Sequence, residues 1–183
     1  YTERGINLLV ADYRGYGHST GTPSLTAMLG DAETVFSAAG SRLQAEGYEG
    51  ERWIMGRSLG SASALAVAES AGVEVGGVII ESGFADALAL LHRIGVPVRP
   101  TSQAEAENAQ FNVRAIGRVA VPTLIIHGED DQIIPVAEGR RLYEASSAGR
   151  KELLVIPQAG HNDLMWRDTE GYMRAIERFV CGR

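Results

Sequence analysis

The chain has 183 residues, of which 45% are hydrophobic and 22% charged, a composition that suits one soluble globular domain with a sizeable core. Its net charge of -6 argues against nucleic acid and against anionic lipid as partners, since both are bound through an excess of Lys and Arg. A single cysteine, Cys181, excludes an internal disulfide framework, and no apolar run approaches the roughly 20 residues that a membrane span needs.

In chain order, residues 6–10 form an apolar run that leads to Asp12 and a Gly15-Tyr16-Gly17 turn, and they read as a buried strand. Residues 25–46 have helical spacing, with Leu25, Met28, Leu29, Val35, Phe36 and Leu43 on one face and Asp31 and Glu33 on the wet side. Residues 52–55 are a second short apolar run, and 61–71 an Ala-rich helix stopped by Gly72. Residues 76–80 are a strand, with Val78, Ile79 and Ile80 β-branched throughout. Residues 82–119 are less periodic and contain Pro97 and Pro100. A strand at 122–127, a helix at 136–146, a strand at 152–156 and a helix at 169–179 complete the chain. Continuously apolar strands separated by helices predict a mostly parallel sheet with helices on both faces, the α/β class. Such sheets bind ligands beyond the carboxyl ends of their strands, so the residues just after each strand are the ones to inspect.

After residues 52–55 comes Gly56-Arg57-Ser58-Leu59-Gly60, a G-x-S-x-G pentapeptide between a strand and a helix. A strand that turns at once into a helix leaves its middle residue in a cramped backbone conformation, and flanking glycines relieve the contacts there. The Ser58 hydroxyl then projects at a helix N-terminus, where a nucleophile is wanted. After residues 122–127 come Glu129, Asp130 and Asp131, which serve either as a solvated turn or as the source of one acid that orients a histidine. After residues 152–156, His161 follows Gly160 in a loop. A lone loop histidine is usually only solvated; here it completes the order Ser, acid, His at three post-strand positions. No grouping of His, Cys, Asp and Glu has metal-ligand spacing, and no nucleotide-binding glycine fingerprint occurs, so no metal or cofactor is expected.

These motifs together resemble the α/β-hydrolase superfamily. Asp12-Tyr13-Arg14-Gly15-Tyr16-Gly17-His18-Ser19 is similar to the loop after the fourth strand of that fold, and Gly56 to Gly60 to its nucleophile turn. The stretch from Pro122 through His127, Gly128 and Asp131 to Pro135 resembles its acid segment, and Gly160-His161-Asn162-Asp163 its histidine loop. The combination is similar to the short-lid branch with BEM46-like and ABHD-type esterases and acyl-aminoacyl-peptidase-like enzymes. The resemblance covers nearly the whole chain. It implies a serine hydrolase with Ser58 as nucleophile, His161 as base and Asp131, rather than Asp130, as the orienting acid, with the Leu59 N–H in the oxyanion hole. Glu81 is an alternative acid, because some hydrolases carry it after that strand. His127 takes a structural place, and His18 and His92 belong to the surface or lid.

The resemblance also implies one domain over residues 1–183, with 82–119 as a short lid. Phe84, Leu88, Leu91 and Phe111 of that lid either contact a small ester or amide substrate or simply pack, and Arg57 is a further substrate contact. Trp166 and Met165 likewise either line a pocket or pack. The chain reads as starting within the fold, because Tyr1 to Gly5 looks like the tail of a helix and the superfamily places a further strand between 6–10 and 52–55. An additional N-terminal segment or a second copy would then complete the sheet and give the second oxyanion donor; otherwise 6–10 and 52–55 pair directly. The expected reaction is cleavage of a carboxylic ester through an acyl-enzyme. The rivals are a peptidase of the acyl-aminoacyl or dipeptidyl type, and an inactive hydrolase-fold partner. With no signal peptide visible, the expected location is cytoplasmic.

Overall fold

Side chains that alternate between two separate cores define the sheet. In the computed structural model, which describes residues 1–22, 24–96, 99, 103 and 109–182, four strands run parallel in the order β1-β2-β3-β4. They are β1 Trp53–Arg57, β2 Gly77–Glu81, β3 Thr123–Gly128 and β4 Lys151–Ile156. Parallel neighbours need long crossovers, and helices supply them. α2 (Gly60–Ala71) joins β1 to β2, α3 (Ala87–Arg93) and α4 (Phe111–Ile116) lie between β2 and β3, and α5 (Val136–Ala145) joins β3 to β4. α1 (Leu25–Ala45) precedes the sheet; α6 (Leu164–Arg167) and α7 (Thr169–Cys181) follow it.

The period of two along each strand sorts residues to the two faces. Val78, Ile80 and Ile125 join Leu65, Ala68, Ile116 and Leu142 of α2, α4 and α5 on one side. Ile79, Leu124 and Ile126 join Tyr172, Met173, Ile176 and Phe179 of α7 on the other. Both faces are covered by helices, as expected, and β2 and β3 are buried along their whole length. Short polar side chains fix several helix starts by accepting orphan amides. Ser24 accepts from the Ala27 N–H at 3.1 Å, Asp86 from Leu88 and Ala89 at 2.9 and 3.1 Å, and Asp168 from Gly171 at 2.9 Å.

Residues 6–10 depart from expectation: they are not a strand. Neither a ladder with β1 nor any other sheet pairing forms there among the described residues, and Leu8, Leu9 and Val10 are exposed. Apolar character favours a strand only where a neighbour takes up its N–H and C=O groups, and here β1 is the sheet edge. Ile6 alone packs beside Trp53 and Met55. On α1, Val35 is exposed although its spacing suggested the apolar face, while Phe36 packs inward. Asp31 is half-buried and takes a two-pronged ion pair from Arg14, at 2.7 and 2.5 Å. Pro97 and Pro100 lie outside the described residues.

Candidate active site

The turn from β1 into α2 is built around two close approaches. A Cβ at Gly56 would come within 2.4 Å of the Gly60 carbonyl oxygen and 2.6 Å of Ala64 Cβ, so only glycine lets the strand run this near the helix. Between these glycines Ser58 adopts a φ of 52°, in the left-handed region that non-glycine residues rarely occupy. The strain is held in place by its neighbours. The Ser58 N–H donates to the Glu81 carbonyl at 2.8 Å, and the Ser58 carbonyl accepts from the Ser61 N–H and hydroxyl at 3.0 and 2.7 Å. The hydroxyl is thereby presented at the carboxyl end of the sheet. Next to it, the Leu59 N–H meets no acceptor among the described residues and stands free at the first turn of α2.

The acid and histidine loops are brought together by a second glycine. A Cβ at Gly128, the last residue of β3, would lie 2.4 Å from the Ala159 carbonyl and 2.8 Å from that of Gly160. The two loops are then laced by backbone bonds, Glu129 N–H to Ile156 at 3.0 Å and Asp130 N–H to Ala159 at 2.9 Å. Asp131 points inward and is buried; Asp130 and Glu129 are exposed.

The geometry that results links three residues. His161 Nδ1 is 2.7 Å from Asp131 Oδ2, and His161 Nε2 is 3.0 Å from Ser58 Oγ. With Nδ1–H donating to the carboxylate, the Nε2 lone pair faces the serine hydroxyl. The other carboxylate oxygen, Oδ1, accepts from the Ile133 and Ile134 N–H groups at 2.9 and 2.8 Å. Behind it sits His127, wholly buried, whose Nε2–H donates to the Ile134 carbonyl at 2.8 Å. Burial pushes its pKa below the usual histidine value, against the backbone acceptor and Asp131, so the ring stays neutral.

The remaining predicted residues are placed differently. Phe84 is buried with Met28, Ala62 and Ile134, and Phe111 packs against the same cluster. Leu88 and Leu91 are half-buried on α3, where Leu90 is the leucine that joins that cluster. Met165 packs against the α7 core, and Trp166 is exposed. Arg57 does not stand free: its Nε donates to Glu81 Oε1 at 2.9 Å, and its Nη2 to the His161 carbonyl at 2.5 Å and Asn162 Oδ1 at 2.7 Å. Glu81, the alternative acid, gives its other oxygen to the Tyr172 hydroxyl. Burial and this carboxylate push the Tyr172 pKa far up, so it remains a donor. Sequence reasoning did not find this Arg57–Glu81–Tyr172 group. The available signal was a cation and an anion at the last positions of adjacent parallel strands, which the register pairs directly.

The chain is similar to known proteins in sequence and in fold. The family model for Serine aminopeptidase, S33, matches residues 95–168. Protein YfhR of Escherichia coli O157:H7 is 29% identical over 182 residues, covering 97% of this chain and 61% of its own length. Protein bem46 of Schizosaccharomyces pombe is 26% identical over 184 residues, covering 99% of this chain and 60% of its own. The chain thus spans about three fifths of the length of the curated relatives it matches. Among solved structures, the Pyrococcus furiosus esterase Pf2001 superposes with a TM-score of 0.72 at 20% identity, covering 98% of this chain and 72% of that one. No helix among the described residues is long and apolar enough to cross a membrane. The chain therefore carries an α/β-hydrolase fold, a parallel sheet with helices on both faces.

Proposed function

We propose that the chain cleaves a carboxylic ester of a small molecule by two-step acyl transfer, with Ser58 as nucleophile, His161 as base and Asp131 as orienting acid. The observation that carries this reading is the continuous chain of contacts from Ser58 Oγ to His161 Nε2, 3.0 Å, and from His161 Nδ1 to Asp131 Oδ2, 2.7 Å. Both are hydrogen-bond distances, and the first allows direct proton transfer from Ser58 to His161. The Ser58 oxygen bonds to the carbonyl carbon while its proton passes to His161 Nε2. The charge that develops on the carbonyl oxygen is met by the Leu59 N–H. Collapse expels the alcohol, which takes the proton from His161. Water then attacks the acyl-enzyme and gives its proton to His161; collapse breaks the bond to Ser58, which takes that proton back as the acid leaves. Asp131 holds the tautomer and stabilises the imidazolium throughout.

A second oxyanion donor belongs, on this reading, to protein beyond these residues: a further N-terminal segment or a second copy that lies along β1. The unpaired edge of β1 among the described residues and the exposed Leu8, Leu9 and Val10 support it, because the free N–H and C=O groups of an edge strand are a template for pairing with further chain. Part of the expected lid at 82–119 lies outside the described residues, and its described part sends Phe84, Ala115 and Ile116 into the core; a kinship with BEM46-like esterases fits the resemblance to bem46. Peptide cleavage is the second reading, favoured by the match to the serine aminopeptidase family. A panel of p-nitrophenyl esters against aminoacyl anilides separates the two. The ester reading expects turnover of short acyl esters, abolished by Ser58→Ala; turnover of anilides alone would transfer the assignment to the peptidases.

A further inference from the structure

The Arg57 side chain joins two parts of the molecule that chain connectivity leaves apart. Arg57 ends β1 and Glu81 ends β2, and the parallel register sets them side by side. Glu81 is nearly buried, with both oxygens taken: Oε1 by Arg57 Nε at 2.9 Å and Oε2 by the Tyr172 hydroxyl, which itself lies 3.0 Å from the Tyr1 hydroxyl. The guanidinium is therefore fixed at its base, and its planar fork sets where the far nitrogen points. That nitrogen, Nη2, reaches the His161 carbonyl at 2.5 Å and Asn162 Oδ1 at 2.7 Å. Among the described residues this is the one hydrogen bond made by the His161 main chain. The ring of His161 is aimed by Asp131, but its backbone is held by Arg57.

We propose that Arg57, anchored by Glu81, is a positioning residue that fixes the histidine loop so that His161 Nε2 stays within reach of Ser58. The inference rests on the reading of Ser58, His161 and Asp131 as a triad. It differs from a role for Arg57 in substrate binding, which its position beside the nucleophile first suggests. A guanidinium committed to one carboxylate and two loop oxygens holds the loop, and a loop shift of about 1 Å is enough to cost turnover about 10²-fold.

The test compares Arg57→Ala, Arg57→Lys and Glu81→Gln with the wild-type chain, by ester hydrolysis and by amide hydrogen exchange. Arg57→Lys keeps a cation beside the buried Glu81, so it preserves the fold where alanine would leave that carboxylate unpaired. It cannot reach Glu81 and both loop oxygens together. For Arg57→Ala we expect kcat to fall about 10²-fold with KM within about twofold of wild type. Arg57→Lys should fall between the two, and Glu81→Gln, which retains an acceptor for Arg57, should lose less than Arg57→Ala. Exchange should quicken at the amides that hold the histidine loop, Gly160, which donates to Asp163, and Asp130, which donates to Ala159, and stay unchanged in β2 and β3. The exchange measurement stands even if the wild-type chain hydrolyses no ester, in which case the triad reading fails alone. Unchanged exchange in the histidine loop of both Arg57 variants would overturn the proposal. So would a raised KM at constant kcat, which would make Arg57 a substrate contact.

Discussion

The Asp131 carboxylate faces His161 with one oxygen and its own loop with the other: Oδ2 is 2.7 Å from His161 Nδ1, and Oδ1 accepts the Ile133 and Ile134 amides. Asn at this position could still accept from the loop, but its NH2 group facing Nδ1 would favour the wrong histidine tautomer. Asp131→Asn should therefore lower kcat by about 10⁴-fold with the fold intact. Asp130→Asn, on an exposed carboxylate one residue away, should change it little. Steady-state kinetics of the two purified variants, with melting temperature as the control, checks this; equal losses would remove Asp131 from the role.

Gly139 lies on α5 directly against the buried His127 ring. A Cβ there would sit 2.5 Å from His127 Nδ1 and 3.0 Å from its Cγ. In an exposed helix Gly→Ala gains about 1 kcal/mol from propensity. Here the ring cannot move without breaking its 2.8 Å bond to the Ile134 carbonyl, and overpacking of this kind costs about 1–3 kcal/mol. Gly139→Ala should therefore be neutral to destabilising by up to about 2 kcal/mol, the difference of these two terms. Urea denaturation reads it, and a clear gain in stability would contradict the packing described.

His127 also gives the protein an acid sensitivity. Burial holds its pKa below the usual value, while in the unfolded chain it titrates at about 6.5. Between those two values the unfolded chain binds more protons, so stability falls as pH is lowered through about 6.5 and levels off below the folded value. His127→Gln keeps a donor for the Ile134 carbonyl but does not titrate. The melting temperature of the wild type should drop more between pH 7 and pH 5 than that of the variant. Parallel curves would show that His127 does not contribute.

The parts legible in the sequence are those fixed by neighbours along the chain. Gly56 and Gly60 announce the sharp turn at Ser58 because strand and helix meet there within five residues. Apolar alternation announces the β2 and β3 faces because each residue's side follows from its parity. Residues 6–10 show the limit. Their apolar run is that of a strand, but strand formation depends on a hydrogen-bonding neighbour, and none of the described residues provides one. Phe84 was equally ambiguous between pocket and core, since both ask for a large apolar side chain; its contacts with Met28 and Ile134 depend on packing that no local pattern carries. The sequence places Arg57 against substrate for the same reason: its bond to Glu81 follows from strand register, and its bond to His161 spans 104 positions.

The central claim is that Ser58 is an activated nucleophile. The direct measurement is mass spectrometry of the chain after brief exposure to an alkyl fluorophosphonate, which transfers its phosphonyl group only to a serine whose proton a base can take. The account predicts a single phosphonyl adduct on the peptide that contains Ser58, absent in Ser58→Ala and strongly slowed in His161→Ala. A folded chain that takes up no adduct, or takes it up at another serine with Ser58 unmodified, would contradict it.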